Sequence, residues 1–590
     1  MAAGKGGKKS KKYRQIIVVL SVLLCLYFFL VLYAGYLWGS RFYFGMLLVI
    51  FFLPVLWLLV EKMKHAGLVE ELQAAWGKKT DRVRDLAELK KYARLFPVDP
   101  QAESILTEQS QDDLHFDFIF TLLDRTLTTP GAQVLYNMLQ RPLLAPEKLK
   151  ARSRTISLFD SNPTLRLQLL LVLKRLSRQH PDTITGLLWD DAGEIKKLGI
   201  IPGLLALLAL AALVSVFFFG LKGAFLGLLP MFIINFSYAE KQKREYFLHL
   251  PALRYASSLL AAAQELSKAC RELLPVYSET LAANFRACGR LLSRPGRRLL
   301  RVLDSFGLYD YINVLFLLDV RSYAADMAVV MRTRKNLQQL YQSIGEIDAL
   351  LAVSSFRAGS KNWCEPRLWP GASSISAEEI YHPLLANPVA NSIVLLQPGT
   401  IVTGSNMAGK STFLRTVAVN AVLAQTIYTC FAQSYEAGYF SIVTSINKDD
   451  YLPGGKSYFL VEAEAILAMI RKAESSHVVS LCIIDELFRG TNSAERIPAA
   501  IEVLKYFADK NILCVIATHD LEVAESCSQL YALYHFSERV GAQGLEFDYK
   551  LHKGIATSRN AIRVLEYLGY PETIVKQEWE KAERRQRQKR

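Results

Sequence analysis

Thr403-Gly-Ser-Asn-Met-Ala-Gly-Lys-Ser-Thr412 fits the pattern G-x-x-x-x-G-K-[ST] without a mismatch, through Gly404, Gly409, Lys410 and Ser411. Glycines let a backbone fold tightly enough to aim several N–H groups at phosphate oxygens. Ahead of the loop, the β-branched run Thr400-Ile-Val-Thr403 reads as a strand. Behind it, Ser411-Thr-Phe-Leu-Arg-Thr-Val-Ala-Val419 reads as a helix whose positive dipole end faces an anion. A Gly-rich turn formed by chance would need neither neighbour. Gly404, Ser405, Asn406, Met407, Ala408, Gly409, Lys410, Ser411 and Thr412 are therefore the expected nucleotide contacts. Lys410 is expected to reach the β- and γ-phosphates of ATP, and the Ser411 hydroxyl to ligate Mg²⁺.

The residues that would complete such a site lie downstream. Ser480-Leu-Cys-Ile-Ile-Asp485-Glu486 is an apolar strand ending in two carboxylates. A strand there brings Asp485 out beside the phosphate loop to hold Mg²⁺, while Glu486 orients or deprotonates the attacking water. Ile512-Leu-Cys-Val-Ile-Ala-Thr-His519 is a second buried strand ending in a histidine, expected at the γ-phosphate or the water. A histidine at a strand end is often only structural; its place after the two earlier motifs favours function.

With these residues in view, the C-terminal portion resembles the MutS family of ATPases, relatives of the ABC class. The family's phosphate loop is similar to residues 403–412, its Walker B segment to Ile484-Asp-Glu-Leu-Phe-Arg-Gly-Thr-Asn-Ser493, and its switch histidine to Ala517-Thr-His-Asp520. Leu452-Pro-Gly-Gly-Lys-Ser-Tyr-Phe-Leu-Val-Glu-Ala-Glu464 resembles the signature stretch that one subunit offers to its partner's nucleotide. The resemblance implies a homodimer, with Ser457 opening a helix toward the γ-phosphate in trans. Asp548-Tyr-Lys-Leu-His-Lys-Gly-Ile-Ala-Thr557 and Ala561-Ile-Arg-Val-Leu-Glu-Tyr-Leu-Gly-Tyr-Pro571 are similar to the end of that ATPase domain. Upstream, Leu122-Leu-Asp-Arg-Thr-Leu-Thr-Thr-Pro-Gly131 and Leu139-Gln-Arg-Pro-Leu143 resemble the start of the family's lever helices, and Ile344-Gly-Glu-Ile-Asp-Ala-Leu350 the returning lever. The family's N-terminal mismatch-reading domain has no counterpart in the first 65 residues. Where relatives stack an aromatic on adenine after a His-Pro pair, here His382-Pro383, Val389 is the nearest counterpart.

Composition bounds the remainder. The 590 residues are 51% hydrophobic and 21% charged, and a mean hydropathy of +0.17 requires concentrated apolar segments. Ile16 to Trp38 and Tyr43 to Val60 read as one membrane hairpin, since a span needs ~20 residues. Leu198 to Phe219 and Ala224 to Tyr238 read as a second, with a buried core helix pair as its competing reading. Lys5, Lys8, Lys9, Lys11, Lys12 and Arg14 precede the first segment, while the two turns carry only Arg41 and Lys222. Positive-inside asymmetry thus places both termini and the ATPase in the cytoplasm of a multi-pass cell-membrane protein. The first apolar run is too long for a signal peptide and no small-residue cleavage site follows it. Eight scattered cysteines without metal-ligand spacing read as reduced thiols, with no zinc site.

The expected fold class is a C-terminal α/β ABC-type P-loop ATPase domain with a mainly α-helical core and lever domain and two transmembrane helical hairpins. Expected segments are 1–65 hairpin, 66–195 helical core, 196–240 second hairpin, 241–365 lever or clamp, 366–580 ATPase and 581–590 basic tail. A net charge of +15 favours an anionic partner, DNA or a membrane surface. Arg286, Arg290 and Arg294 at helical spacing, with Arg297 and Arg298, are candidate contacts to phosphates of DNA or anionic lipid, or else a solvated face. Three functions are consistent with these features. An ATP-driven dimer coupled to DNA, akin to mismatch repair, leads. A membrane-associated ATPase acting on lipid or a protein partner comes second. A transporter is last, because the apolar segments offer little polarity for a substrate path.

Overall fold

The computed structural model describes residues 3–38, 46–80, 82–95, 104–177, 184–189, 200–219, 222, 224–246, 250–289, 309–405, 408–446, 458–541, 544–555, 570–571 and 573. They group into two compact units. One is Met1–Val83, Arg125–Val134 and Ser157–Gly359; the other is Arg84–Asp124, Leu135–Ile156 and Ser360–Arg590.

The second unit is built on a six-stranded sheet of order β10-β9-β4-β8-β7-β6. Its strands are β4 (Gly399–Thr403), β6 (Phe440–Ser445), β7 (Val479–Asp485), β8 (Ile512–Thr518), β9 (Ala532–Gly541) and β10 (Gly544–Lys553). All neighbours are parallel except the edge pair β9–β10. Every residue of β4, β6, β7 and β8 is buried. A parallel sheet covered on both faces requires such continuous apolar runs, which is why Leu481-Cys-Ile-Ile484 and Leu513-Cys-Val-Ile516 do not alternate. The helix Lys410–Thr426 packs on β6, β7 and β8. Elsewhere Ile484, Ile516, Leu504, Phe507 and Met469 share one apolar cluster with the helices Tyr458–Ser475 and Ser493–Ala508. A smaller sheet of order β1-β5-β2-β3 joins β1 (Arg367–Leu368), β2 (Ser374–Ile380), β3 (Asn391–Leu396) and β5 (Ser434–Ala437).

Residues 84–124 and 135–156, which the sequence places in the helical core, cluster instead with this sheet. Buried Asp113 is the physical reason. Its carboxylate accepts from the Thr444 hydroxyl at 2.6 Å and the Ile446 N–H at 2.9 Å, at the end of β6. Its backbone carbonyl accepts from Arg415 Nε at 2.8 Å. Buried Gln425 adds a second tie, donating to Phe440 O and accepting from Phe440 N at 3.0 Å each, while its carbonyl accepts from Leu143 N at 2.8 Å.

The first unit is helical. In the helix Arg334–Gly359, Leu337, Leu340, Tyr341, Ile344 and Ile347 are buried, the spacing of an amphipathic face. On the same helix, Asp348 is 1% exposed and accepts from Leu127 N at 3.0 Å, Thr128 N at 2.7 Å and the Thr128 hydroxyl at 2.6 Å. A Cβ on Gly131 would lie 2.2 Å from this carboxylate, so only glycine admits the latch. Asp348→Ala leaves those donors unpaired, the two on Thr128 fully buried, a cost of about 3 kcal/mol. Hydrogen exchange at the Leu127 and Thr128 amides is expected to accelerate roughly a hundredfold; unchanged protection would refute the latch.

One helix among the described residues is long and apolar enough to cross a membrane, by length and composition: Tyr13–Val31, 19 residues of mean hydropathy 2.4, with 6% of its window buried. It belongs to the helix Ala3–Trp38, which packs along Met46–Ala75. The apolar helix Ile201–Val216 is shorter, and it too leaves Leu204, Leu207, Leu208 and Leu213 exposed. After the π-helix Ala224–Leu228 comes Leu229–Tyr246, where buried Asn235 donates to Leu315 O at 2.6 Å.

Candidate nucleotide site

Strand order assembles the site. β8 lies between β4 and β7, with Thr403 paired to Thr518 and Asp485 to Ala517, so three strands end at one level. The phosphate loop leaves β4, the two carboxylates leave β7, and His519 leaves the strand between them. Ligands of open α/β sheets bind at this carboxyl edge.

Gly404 has φ +138°, and a Cβ there would lie 2.9 Å from Phe536 O. Gly409, at φ +100°, caps the helix Lys410–Thr426. Lys410 is 1% exposed, and its ammonium donates to Gly404 O at 2.6 Å and Ser405 O at 2.8 Å. Burial lowers its pKa, while the charges of Asp485 and Glu486 act against that shift. The Ser411 hydroxyl donates to Asp485 Oδ2, and the Ser405 hydroxyl to Glu538. Ala408 is buried, and Thr412 sits in the first turn of the helix, its carbonyl accepting from the Thr416 hydroxyl. Asn406 and Met407 lie outside the described residues.

Glu486 adopts φ +64°, a left-handed conformation that a non-glycine residue holds only when its surroundings impose it. Its carboxylate is 4% exposed and forms ion pairs with Arg489 and with His519 Nδ1, the latter at 2.9 Å. Burial would raise this carboxyl, but His519 and Arg489 outweigh it and hold the pKa down at about 2. Reciprocally, the contact with Glu486 raises His519 above 6.5 against the effect of its burial. Asp520 follows, paired with Arg496 at 2.9 Å.

Three contributors were quoted in the sequence reading only within longer motifs, without a role at the site. Buried Glu462, on the helix Tyr458–Ser475, accepts from Gly490 N at 3.1 Å and so ties that helix to the loop after Glu486. Arg489, read only as part of a motif, is a direct partner of Glu486. Tyr549 is the third. The β9–β10 ladder shifts register between Phe547 and Leu551, and a bulge of this kind re-aims side chains. It brings Tyr549, at φ +53° and 45% exposed, to where a Cβ on Gly409 would lie 3.3 Å from its ring. Asn391 clamps the bulge, donating to Tyr549 O at 3.0 Å and accepting from Leu551 N at 2.8 Å. The same amide reaches Val389 O at 3.4 Å, so Val389 and Tyr549 border one place. No local pattern marks Tyr549, because a bulge is set by the ladder and not by periodicity.

Ser457 lies outside the described residues, although the helix Tyr458–Ser475 begins immediately after it. Arg286 is exposed in the last turn of Pro275–Cys288 and its Nε donates to Ala282 O at 3.3 Å. Arg290, Arg294, Arg297 and Arg298 lie outside the described residues.

The family profile described as MutS domain V matches residues 400–586. DNA mismatch repair protein MutS of Natronomonas pharaonis is 28% identical over 256 residues, 42% of this chain and 29% of that protein. The protein of the same name from Thermus thermophilus is 26% identical over 496 residues, 78% of this chain and 60% of its own length. DNA mismatch repair protein MutS 2 of Halobacterium salinarum is 28% identical over 258 residues, 42% of this chain and 29% of that protein. The chain thus spans between 29% and 60% of these relatives.

Proposed function

We propose that this chain, which belongs to the MutS family, is a membrane-anchored, Mg²⁺-dependent ATPase that closes as a homodimer on ATP and couples closure to DNA binding. The observation that carries the ATPase is the convergence of Lys410, the Ser411–Asp485 pair and the Glu486–His519 pair at one edge of one sheet. The residues fit the nucleotide and its ion: a glycine-lined cradle, a buried ammonium, and a hydroxyl and carboxylate already in contact. Ser411 and Asp485 would hold Mg²⁺, which when bound neutralises charge on the β- and γ-phosphate oxygens.

Lys410 would exchange its two carbonyl partners for phosphate oxygens. Glu486 orients the attacking water and accepts its proton once Arg489 and His519 no longer both engage it. His519, in contact with Glu486, would serve as the sensor of the transferred group. Tyr549 offers its ring as the platform for the base beside Val389. Tyr549→Ala is expected to weaken ATP binding about tenfold, since stacking on an aromatic is worth ~1–3 kcal/mol. Fluorescent-nucleotide titration checks this, and equal affinity for the variant would remove Tyr549 from the site.

Ser457, which directly precedes Tyr458 in the sequence, would complete the pocket of the second protomer in this reading. Membrane anchoring is supported by the exposed apolar surface of Tyr13–Val31, with residues 43–60 and the pair 198–219 and 224–238 as the other hairpin segments. Basic flanks support an ATPase on the cytoplasmic side. The DNA part is supported by the relatives' activity in mismatch repair and by the net charge of +15, with Arg286, Arg290, Arg294, Arg297 and Arg298 as candidate contacts. The test measures ATPase rates of the full chain with duplex, branched and single-stranded DNA and with anionic liposomes, across salt. Salt-sensitive stimulation by DNA supports the proposal. Stimulation by liposomes alone favours the second reading, a membrane-associated ATPase without DNA, which the exposed helix Tyr13–Val31 also suits.

A further inference from the structure

Resting on the ATPase reading above, we propose that Glu462 is a positioning residue for hydrolysis: from the helix Tyr458–Ser475 it fixes the loop that aims Glu486. The backbone of that loop is held against its own preference. Glu486 at φ +64° and Phe488 at φ +59° both adopt the left-handed conformation, within three consecutive residues. Side chains of this size disfavour it, and it persists only where contacts on either side over-determine the chain.

On one side the contact comes from β8, where Ala517 O accepts from Glu486 N at 2.9 Å. On the other side it comes from the helix Tyr458–Ser475. Phe488 is 7% exposed, and its ring lies 5.7 Å from that of Phe459, centroid to centroid. Two residues on, the Gly490 N–H donates to Glu462 Oε2 at 3.1 Å. Arg489 stands between these two contacts and reaches back to pair with Glu486. The helix therefore brackets the residue that engages the water-orienting carboxylate.

The face that carries Glu462 is otherwise apolar. Glu462, Ile466, Met469 and Ala473 are buried at i, i+4, i+7 and i+11, one stripe of the helix, and the last three belong to the apolar cluster under β7 and β8. A carboxylate on such a stripe costs free energy that an aliphatic side chain would not, so seating the helix does not call for it. Holding the Gly490 amide does. Without that bond the loop relaxes beyond Phe488, Arg489 loses its place against Glu486, and the carboxylate swings off line. A misplacement of about 1 Å can slow a reaction on the order of a hundredfold. The phosphate loop keeps its own contacts through Lys410 and Ser411, so nucleotide binding does not pass through Glu462.

The test compares detergent-solubilised full-length wild type, Glu462→Ala and Glu462→Gln in steady-state ATP hydrolysis and fluorescent-nucleotide titration. Glu462→Ala is expected to lower kcat at least tenfold while nucleotide affinity stays within about twofold. Glu462→Gln keeps a carbonyl acceptor for the Gly490 N–H and is expected to recover kcat to within about threefold of wild type. Added to Glu486→Gln, Glu462→Ala is expected to change the residual rate by less than about twofold, because it acts through Glu486. Hydrogen exchange at the Gly490 amide is expected to quicken about tenfold or more in Glu462→Ala, a readout that does not depend on turnover. Unchanged kcat or unchanged exchange in Glu462→Ala, equal losses in the alanine and glutamine variants, affinity falling together with rate, or a full further loss beside Glu486→Gln would each overturn the proposal and leave the ATPase reading standing. A wild type that binds ATP without hydrolysing it would overturn both.

Discussion

Lys410→Ala is expected to weaken ATP binding by at least a hundredfold, measured by fluorescent-nucleotide titration of the full chain. The ammonium is buried and already serves two carbonyls, Gly404 O and Ser405 O, so it is prepaid in orientation and needs little reorganisation to meet phosphate oxygens. A charge-assisted hydrogen bond is worth ~1.5–3 kcal/mol, and a triphosphate takes more than one from this group. Removal also strands the two loop carbonyls at a turn where Gly404 is held at φ +138°. The loop itself is then expected to loosen, adding to the loss. Affinity within threefold of wild type would show that the loop does not bind through this lysine.

Glu486→Gln is expected to retain ATP affinity, to slow hydrolysis by roughly a hundredfold to a thousandfold, and to accumulate the ATP-bound dimer. Glutamine preserves the shape at φ +64° but removes the charge facing Arg489 and His519. Rapid-quench turnover and sizing in ATP report the two effects; turnover at the wild-type rate would dismiss Glu486 as the water-orienting group. The same substitution has a pH signature. Glu486 is depressed from 4.5 to about 2, so its stabilisation is present above pH 4.5 and lost as pH falls toward 2. His519 is raised above 6.5, so its share is full below pH 6.5 and lost as pH rises through its folded value. The pair is thus strongest between about pH 4.5 and 6.5, and that window is expected to vanish in Glu486→Gln. Protection of the Glu486 amide, bonded to Ala517 O at 2.9 Å, measures it by hydrogen exchange.

What could be read along the chain was whatever is encoded contiguously. The phosphate loop, the apolar run into Asp485-Glu486 and the run into His519 each carry their chemistry within about ten residues, because a glycine turn or a buried parallel strand imposes a local composition. Tyr549 was not legible, since a register shift against β9 and the clamp from Asn391, 158 residues away, aim it. Nor was the grouping of residues 84–124 with the ATPase sheet, which rests on Asp113 meeting Thr444 across 331 positions.

The chain's own order of residues therefore determined that a triphosphate-binding loop exists, which strands flank it, and which carboxylates and histidine would serve it. Those choices follow from backbone conformation and burial over a few consecutive residues. Only the tertiary structure decided that β8 separates β4 from β7, that Glu486 is held by His519 and Arg489, that Tyr549 faces Gly409, and that Asp348 closes on Thr128. Each of these depends on hydrogen bonds and packing between residues far apart in sequence, and the closure of such contacts is a property of the folded chain as a whole.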